Sequence, residues 1–295
     1  MTQGESGNGA NGREAAGLRI DAHVHLWDRQ LGDYSWLTPD LGALYADFTP
    51  EQAKTELDAA GINSAILVQA EDSMRDTDYL LAVASAHQWV AGVVGWVPLD
   101  EPSAAEAALD RWQRHPAFVG VRHLVHDDPR DDFLSLPTVR QSLGLLADRH
   151  IAFDVPDAWP RHLEATLDLA EALPGLTIVL DHLGKPPRGS VDIAAWEQQF
   201  RRLAARPNVV AKFSGLHAPD AEFSTEALRW VWNVALDAFG PARLLYGGDW
   251  PVTVPVGGYQ PTWRVMSELI SELSPAEQHS ILAQTAIEAY RLTPR

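Results

Sequence analysis

Short apolar runs recur along the chain, and each is followed by a longer stretch with helical spacing. The runs Arg19–His25, Ser64–Ala70, Ala91–Val97, Phe118–His123, Ile151–Val155, Thr177–His182, Asn208–Ser214 and Arg243–Gly248 read as eight strands. Successive starts lie 26 to 45 residues apart, close to the size of a β-α unit. The stretches between them carry helix signals. Thr49-Pro50-Glu51-Gln52 is a capping box with proline in the first turn, and Gly61 closes that helix. Ser103 with Glu106 predicts the same device before the third helix, and Ser274-Pro275-Ala276-Glu277 opens the last. After the seventh strand, Leu228, Val231, Trp232, Ala235 and Phe239 fall on one helical stripe that would pack on a sheet.

Eight strand-helix alternations in one chain predict an α/β fold, a (β/α)8 TIM barrel over residues 18–295, rather than two doubly wound domains. A chain of 295 residues with 46% hydrophobic content suits a core of that size. No Gly-rich strand-to-helix turn of the dinucleotide-binding type is present. Residues 1–17, rich in Gly, Asn, Ala and Glu, read as a disordered N-terminal tail without the apolar core of a secretory signal.

Composition narrows the functions. A formal charge of -17 opposes binding to nucleic acid phosphates or to anionic lipid, which leaves a small molecule as the expected partner. The chain has no cysteine, hence no disulfide, thiolate ligand or thiol nucleophile. No run of about 18 apolar residues predicts a membrane span, and the expected address is cytoplasmic. Apolar helix faces leave room for a homodimer contact.

In a barrel of this kind, chemistry sits at the carboxyl ends of the strands. His23 and His25, two apart at the end of the first run, would leave the same face of a strand and make half of a metal site. The sixth run is apolar until it delivers Asp181 and His182, a costly arrangement unless they are paired or ligating. The eighth ends in Gly247-Gly248-Asp249, whose carboxylate would lie beside the first strand once the barrel closes. Singly, each of these is compatible with a hydrogen-bonded core residue or a helix cap. Together, His23, His25, His182 and Asp249 suit one divalent ion, zinc or similar, with Asp249 and His182 as catalytic groups. Arg122 and Lys212 are candidates to hold an oxyanion, substrate hydroxyls or a carboxylate, with salt bridges as the competing role. The long connection Leu26–Phe48 is expected to wall the site in part, so that Trp27, Tyr34 and Trp36, with Trp96 from a strand end, would offer apolar faces to a ring. Lys185 lies in a Gly-Lys-Pro loop, a setting that also suits a solvated lysine.

At these residues the sequence resembles the amidohydrolase superfamily, within it the sugar-acid lactonases of the L-fuconolactonase and L-rhamnonolactonase type. The resemblance spans about Arg19 to Tyr290. Its motifs are Asp21-Ala22-His23-Val24-His25-Leu26-Trp27-Asp28, Tyr34-Ser35-Trp36-Leu37, Gly120-Val121-Arg122-His123, Leu180-Asp181-His182-Leu183-Gly184-Lys185-Pro186, Lys212-Phe213-Ser214-Gly215-Leu216 and Gly248-Asp249-Trp250-Pro251. The resemblance implies a distorted barrel, hydrolysis of a lactone ester, and Asp249 as the catalytic carboxylate. Related barrels with the same His-x-His and Asp leave one alternative, a metal-dependent decarboxylase of an unsaturated acid. Another, from a different class, is a non-catalytic barrel that binds a sugar acid, against which the intact His23, His25, His182 and Asp249 argue. Two departures stand out. Where the group often has Gly-Ser before Asp-Trp-Pro, this chain has Gly247-Gly248, removing a hydroxyl near the site. Where two-metal members have a lysine and a histidine ending the fourth and fifth strands, this chain has Arg122-His123 and Asp154, which disfavours a second ion.

Overall fold

The structure is a computed structural model that describes residues 17–188, 192–218 and 221–293. The tail expected at the N-terminus lies almost wholly outside them. Eight parallel strands pair in sequence order: β1 Ile20–Val24, β2 Ser64–Val68, β3 Val90–Gly95, β4 Phe118–Arg122, β5 Ala152–Val155, β6 Ile178–Leu180, β7 Val209–Phe213 and β8 Leu244–Tyr246. Helices α1 Pro50–Ala60, α2 Met74–Ala86, α3 Pro102–Trp112, α4 Pro137–Arg149, α5 Leu163–Ala172, α6 Ile193–Ala204, α7 Thr225–Phe239 and α8 Tyr259–Ser271 alternate with them. This is a (β/α)8 barrel, and its strands are shorter than the apolar runs that encode them because the polar ends have already left the ladder.

The barrel is nearly, not fully, laddered. β8 is too short to pair with β1, and the chain just beyond it does the closing. Val24 bridges Trp250, His25 N–H donates to the Trp250 carbonyl at 2.7 Å, and Asp249 N–H donates to the His23 carbonyl at 2.9 Å. β1 carries a second irregularity, since Asp21 and Val24 oppose Ala65 and Leu67, three steps against two. That bulge changes which residues face inward. Ile20 and Ala22 belong to the inner apolar cluster, and past the extra residue His23 and His25 take over the inward positions. Across β5, β6 and β7, Asp154, Asp181 and Lys212 stand one inward step above Ala152, Val179 and Val210, so an apolar layer underlies a charged one. The C-terminal helices plug the apolar end with Ala283, Ala286, Tyr290 and Leu292. Gly120 makes room for the plug, because a Cβ there would meet the Tyr290 ring at 3.3 Å.

The local signals mostly behave as the sequence predicts. Thr49 and Gln52 form the capping box of α1, Gly61 ends it at φ 69, and Ser274 with Glu277 caps the segment Pro275–His279. The stripe of α7 is buried, with Trp232 packed on Phe213 of β7 at 4.7 Å between ring centroids. The expected Ser103 box is absent: α3 begins two residues earlier, at Pro102, whose fixed φ suits the first turn and leaves Ser103 inside the helix. Among the described residues, no helix is long and apolar enough to cross a membrane.

The long connection after β1 is pinned rather than loose. Trp27 donates Nε1–H to the Ala46 carbonyl and Trp36 to the Ala70 carbonyl, both at 2.7 Å, while Trp27 meets Trp36 and Phe48 edge to face. Tyr34 is buried, and its hydroxyl donates to Asp76 of α2 at 2.8 Å. Burial pushes the Asp76 carboxyl up to about 7, against the hydrogen bonds from Tyr34 and the Ala70 amide. Tyr34→Phe should therefore cost about 1–3 kcal/mol in urea unfolding, leaving a buried acceptor short of a donor. Asp76 binds its proton more tightly folded than unfolded, so its contribution is full below its unfolded pKa and is lost as pH rises through about 7. Wild type should lose stability relative to Asp76→Asn as pH rises from 4 to 7, and parallel curves would refute a buried protonated Asp76.

Candidate active site

The mouth of the barrel holds a cavity of about 190 Å³ lined by His25, Trp27, Trp36, Arg122, His126, Asp127, Asp157, His182, Lys185 and Asp249, among others. His25 is oriented from behind: its Nδ1 lies 2.8 Å from the Val68 carbonyl, which can only accept, so Nδ1 carries the proton and Nε2 presents a lone pair. His23 Nε2 lies 3.0 Å from that lone pair, and Asp249 Oδ1 lies 3.6 Å from His25 Nε2 and 3.8 Å from His23 Nε2. Two imidazole nitrogens this close repel unless a proton or a cation sits between them. The donor set of His23, His25 and Asp249, all buried and mutually within 4.8 Å, fits a divalent ion.

His182 belongs to the same place by a different contact. Its ring lies 4.6 Å from that of His23, and Ser214 Oγ takes Nδ1 at 2.9 Å, leaving Nε2 for a ligand. A second grouping of potential donors, His23, Asp181 and His182, shares His23 with the first. It uses the far side of that ring. There Nδ1 lies 3.3 Å from Asp181 Oδ1 and 3.1 Å from the Lys212 ammonium, which would repel a dication. The four residues read from sequence are thus brought together around His23, with His182 beside the His23/His25/Asp249 triad rather than within it.

Lys212, expected to meet substrate, is wholly buried one layer below. It pairs with Asp154 at 2.6 Å and Asp181 at 3.0 Å, and Tyr290 donates to Asp154 from the plug at 2.7 Å. Arg122 Nε completes the network on Asp181 Oδ2 at 2.9 Å while its guanidinium still borders the cavity. Burial alone would raise the Asp181 pKa, but Lys212, His23 and Arg122 outweigh it and hold the carboxylate well below its usual range. Burial pushes Asp154 up to about 6 despite Lys212. Burial, reinforced by Lys212, drives His23 far below the usual histidine range, so it is neutral and able to ligate. Burial lowers His182 as well. For Asp249, burial acts upward, but the surrounding imidazoles of His182, His25 and His23 outweigh it and keep the carboxyl below its usual range. Asp154 and Asp181 are thus spent on cations of the chain itself, which disfavours a second ion beside Lys212, in line with the departure at Arg122-His123.

The backbone is held in uncommon conformations at this mouth. Asp157, His182, Lys185 and Asp249 all have positive φ, at 40°, 54°, 60° and 53°. Gly215 is obligatory, because a Cβ there would lie 2.1 Å from His182 Nδ1. Gly248 is obligatory too: a Cβ would meet Tyr259 at 2.4 Å and Asp21 Oδ2 at 2.5 Å. The Asp21 carboxylate takes the Gly248 amide at 2.9 Å and the Tyr259 hydroxyl at 2.6 Å. The hydroxyl absent at position 248 would therefore face this buried network, not the substrate.

Of the expected aromatic walls, Trp27 and Trp36 border the cavity. Tyr34 does not, because it braces the loop on α2. Trp96 donates Nε1–H to His123 Nδ1 at 3.0 Å and stands outside that lining. The sequence reading missed His126, Asp127 and Asp157. Each lies past a strand end, in the connections after β4 and β5, where length and charge were the available signals.

A barrel whose eight strands run in order, with histidines at the ends of β1 and β6 and a carboxylate past β8, gathers at its mouth a donor set that could hold a metal ion. The sequence profile of the amidohydrolase family matches residues 20–292, and the chain belongs to that family. It is 36% identical over 282 residues to an L-fucono-1,5-lactonase of Burkholderia ambifaria, covering 93% of this chain and 96% of that one. It is 32% identical to an L-fucono-1,5-lactonase of Burkholderia multivorans, covering 93% and 96%. A crystal structure of a Burkholderia multivorans amidohydrolase with bound zinc superposes with a TM-score of 0.85 at 32% identity, over 94% of this chain and all of that one.

Proposed function

We propose that this protein opens the lactone ring of a neutral sugar acid, with L-fucono-1,5-lactone as the first substrate to try. The observation that carries the reading is the convergence of His25, His182, Asp249 and Arg122 on one cavity walled by two tryptophans. The identity to two L-fucono-1,5-lactonases supports the choice of substrate class. His23, His25 and Asp249, with His182 alongside, would hold one divalent ion, and zinc matches their nitrogen and oxygen donors. Such an ion polarises a carbonyl and makes water more acidic.

The chain's own groups supply the rest. Asp249, kept ionised, accepts a proton as a water oxygen bonds to the lactone carbonyl carbon. When the bond from that carbon to the ring oxygen breaks, Asp249 returns the proton to the departing alkoxide. The products are a hydroxyl and a carboxylic acid, and the acid gives up its remaining proton to solvent at neutral pH, which is the proton an assay reads. Arg122 spends Nε on Asp181 and Nη1 on the Gln69 carbonyl, and Nη2 remains to steady the oxyanion. Trp27 and Trp36 exclude water from one face of the ring. Lys212 serves from below, neutralising Asp154 and Asp181 so that His23 keeps its orientation.

The test is a panel of sugar lactones and unsaturated carboxylic acids, with metal content measured on the same protein. Proton release from lactones is expected, and carbon dioxide release from acids in its place would establish the decarboxylase alternative. Dialysis against a chelator should cut turnover by about 10²-fold or more, with recovery on adding zinc. Full activity in protein with near-zero metal would remove the ion from the scheme and leave His25 and His182 as direct carbonyl polarisers.

A further inference from the structure

The cavity that Asp249 borders also carries polar atoms that the chain leaves unsatisfied. Oδ1 of Asp157 and Nδ1 of His126 are both shielded from water, and neither takes a hydrogen bond. Both residues line the same cavity as Asp249 and His182. An unsatisfied acceptor beside a reaction site costs stability unless a ligand completes it.

The charges around Asp157 keep it ionised. Lys185 Nζ stands 3.7 Å from Oδ2, the other oxygen, and Lys185, His182, His126 and Arg122 together lower the Asp157 pKa against the upward push of burial. His126 Nε2 faces Asp127 Oδ2 at 3.6 Å, beyond hydrogen-bond reach, so its unpartnered Nδ1 is open to donate to or accept from a ligand. The cavity's cations have other work: Arg122 is held on Asp181 with Nη2 turned to the oxyanion in the reading above, and Lys185 donates to the Gly215 carbonyl at 3.1 Å. What the wall offers a ligand is therefore an anionic acceptor at Asp157 and an unpartnered imidazole nitrogen at His126, flanked by a second carboxylate at Asp127. Hydroxyl groups satisfy that wall. A carboxylate would be repelled by it, and a bare methylene ring would leave it unpaired.

Resting on the lactonase reading above, we propose that Asp157, assisted by His126, is the specificity-determining residue of the site. It takes hydrogen bonds from ring hydroxyls, and so selects a neutral polyhydroxylated lactone over an unsubstituted or carboxylated one. Its backbone shares the left-handed conformation of His182 and Asp249, so the same turn chemistry that aims the reacting groups aims this one. A site built around substrate hydroxyls rejects the analogue lacking them far more strongly than an apolar pocket rejects an extra group.

The experiment compares kcat/KM for L-fucono-1,5-lactone and for δ-valerolactone in wild type, Asp157→Gly and Asp157→Asn. Glycine keeps the positive φ without strain and removes the carboxylate, and asparagine tolerates the same φ while restoring one neutral acceptor. The expected result is a loss of about 10- to 100-fold on the hydroxylated lactone in Asp157→Gly, the range of a hydrogen bond to a charged group, with δ-valerolactone changed by less than about 3-fold. Asp157→Asn should recover part of the loss. Equal losses on both lactones, or no loss on either, would overturn the assignment while the lactonase reading stood. Wild type inert on both lactones would overturn that reading, and this assignment with it. Thermal unfolding of each variant separates lost recognition from lost fold: a melting shift that tracks the activity loss on both substrates counts against the proposal.

Discussion

Asp249→Asn is expected to lower lactone turnover by about 10²- to 10⁴-fold with little change in stability. The size follows from losing the group that moves the proton, since an amide accepts none at neutral pH. The retention of fold follows from the backbone. Asp249 sits at φ 53, a conformation asparagine adopts as readily, and its N–H still reaches the His23 carbonyl at 2.9 Å. Steady-state rates with metal content measured in parallel decide the matter. Unchanged turnover would eliminate Asp249 as the base, and a loss matched by a loss of bound zinc would make it chiefly a ligand.

Lys212→Met should be the most destabilising single change in the barrel interior, costing about 3–5 kcal/mol, because it strands two buried carboxylates without their ammonium. In a chain of this size that is a drop in melting temperature on the order of 10 °C. The pH dependence gives it a signature. In wild type the lowered Asp181 pKa contributes stability that is present above its unfolded pKa and lost as pH falls through the folded value. Without Lys212 the same carboxylate titrates upward, so the variant should regain stability relative to wild type as pH falls from 7 toward 4. A constant gap across that range would mean that the ammonium does not hold these charges. Activity should fall as well, since His23 loses the neighbour that fixes its Nδ1 side.

The barrel was legible because a buried parallel strand is an apolar run whose polar residues gather at one end. His23, His25, His182 and Asp249 stand at such ends, and order along the chain sufficed to bring them to one mouth. Depth was not legible. Lys212 and Arg122 both stand toward strand ends, yet one is buried between carboxylates and the other borders the cavity. Nor was the bulge in β1, since Asp21 through His25 reads as simple alternation while the structure spends an extra residue to turn both histidines inward. Tyr34 and Trp96 were read as ring faces on residue type alone, and their hydroxyl and indole N–H decided otherwise by finding Asp76 and His123. Asp157 follows Val155-Pro156, beyond the ladder, and only the atom left unsatisfied beside the cavity draws attention to it.

The seam between the chain past β8 and β1 joins residues more than two hundred positions apart, as the 227-residue span from Asp21 to Gly248 illustrates. Long-range contacts of this kind form late, because ordering so much chain precedes any return from them. A refolding or newly made chain can therefore assemble seven strands, own all three histidines, and still be chemically silent until its last fifty residues dock. The catalytic carboxylate arrives on the same segment that completes the ring, so activity reports ring completion, and a chain cut short before residue 249 would keep most of the architecture and lose the proton acceptor.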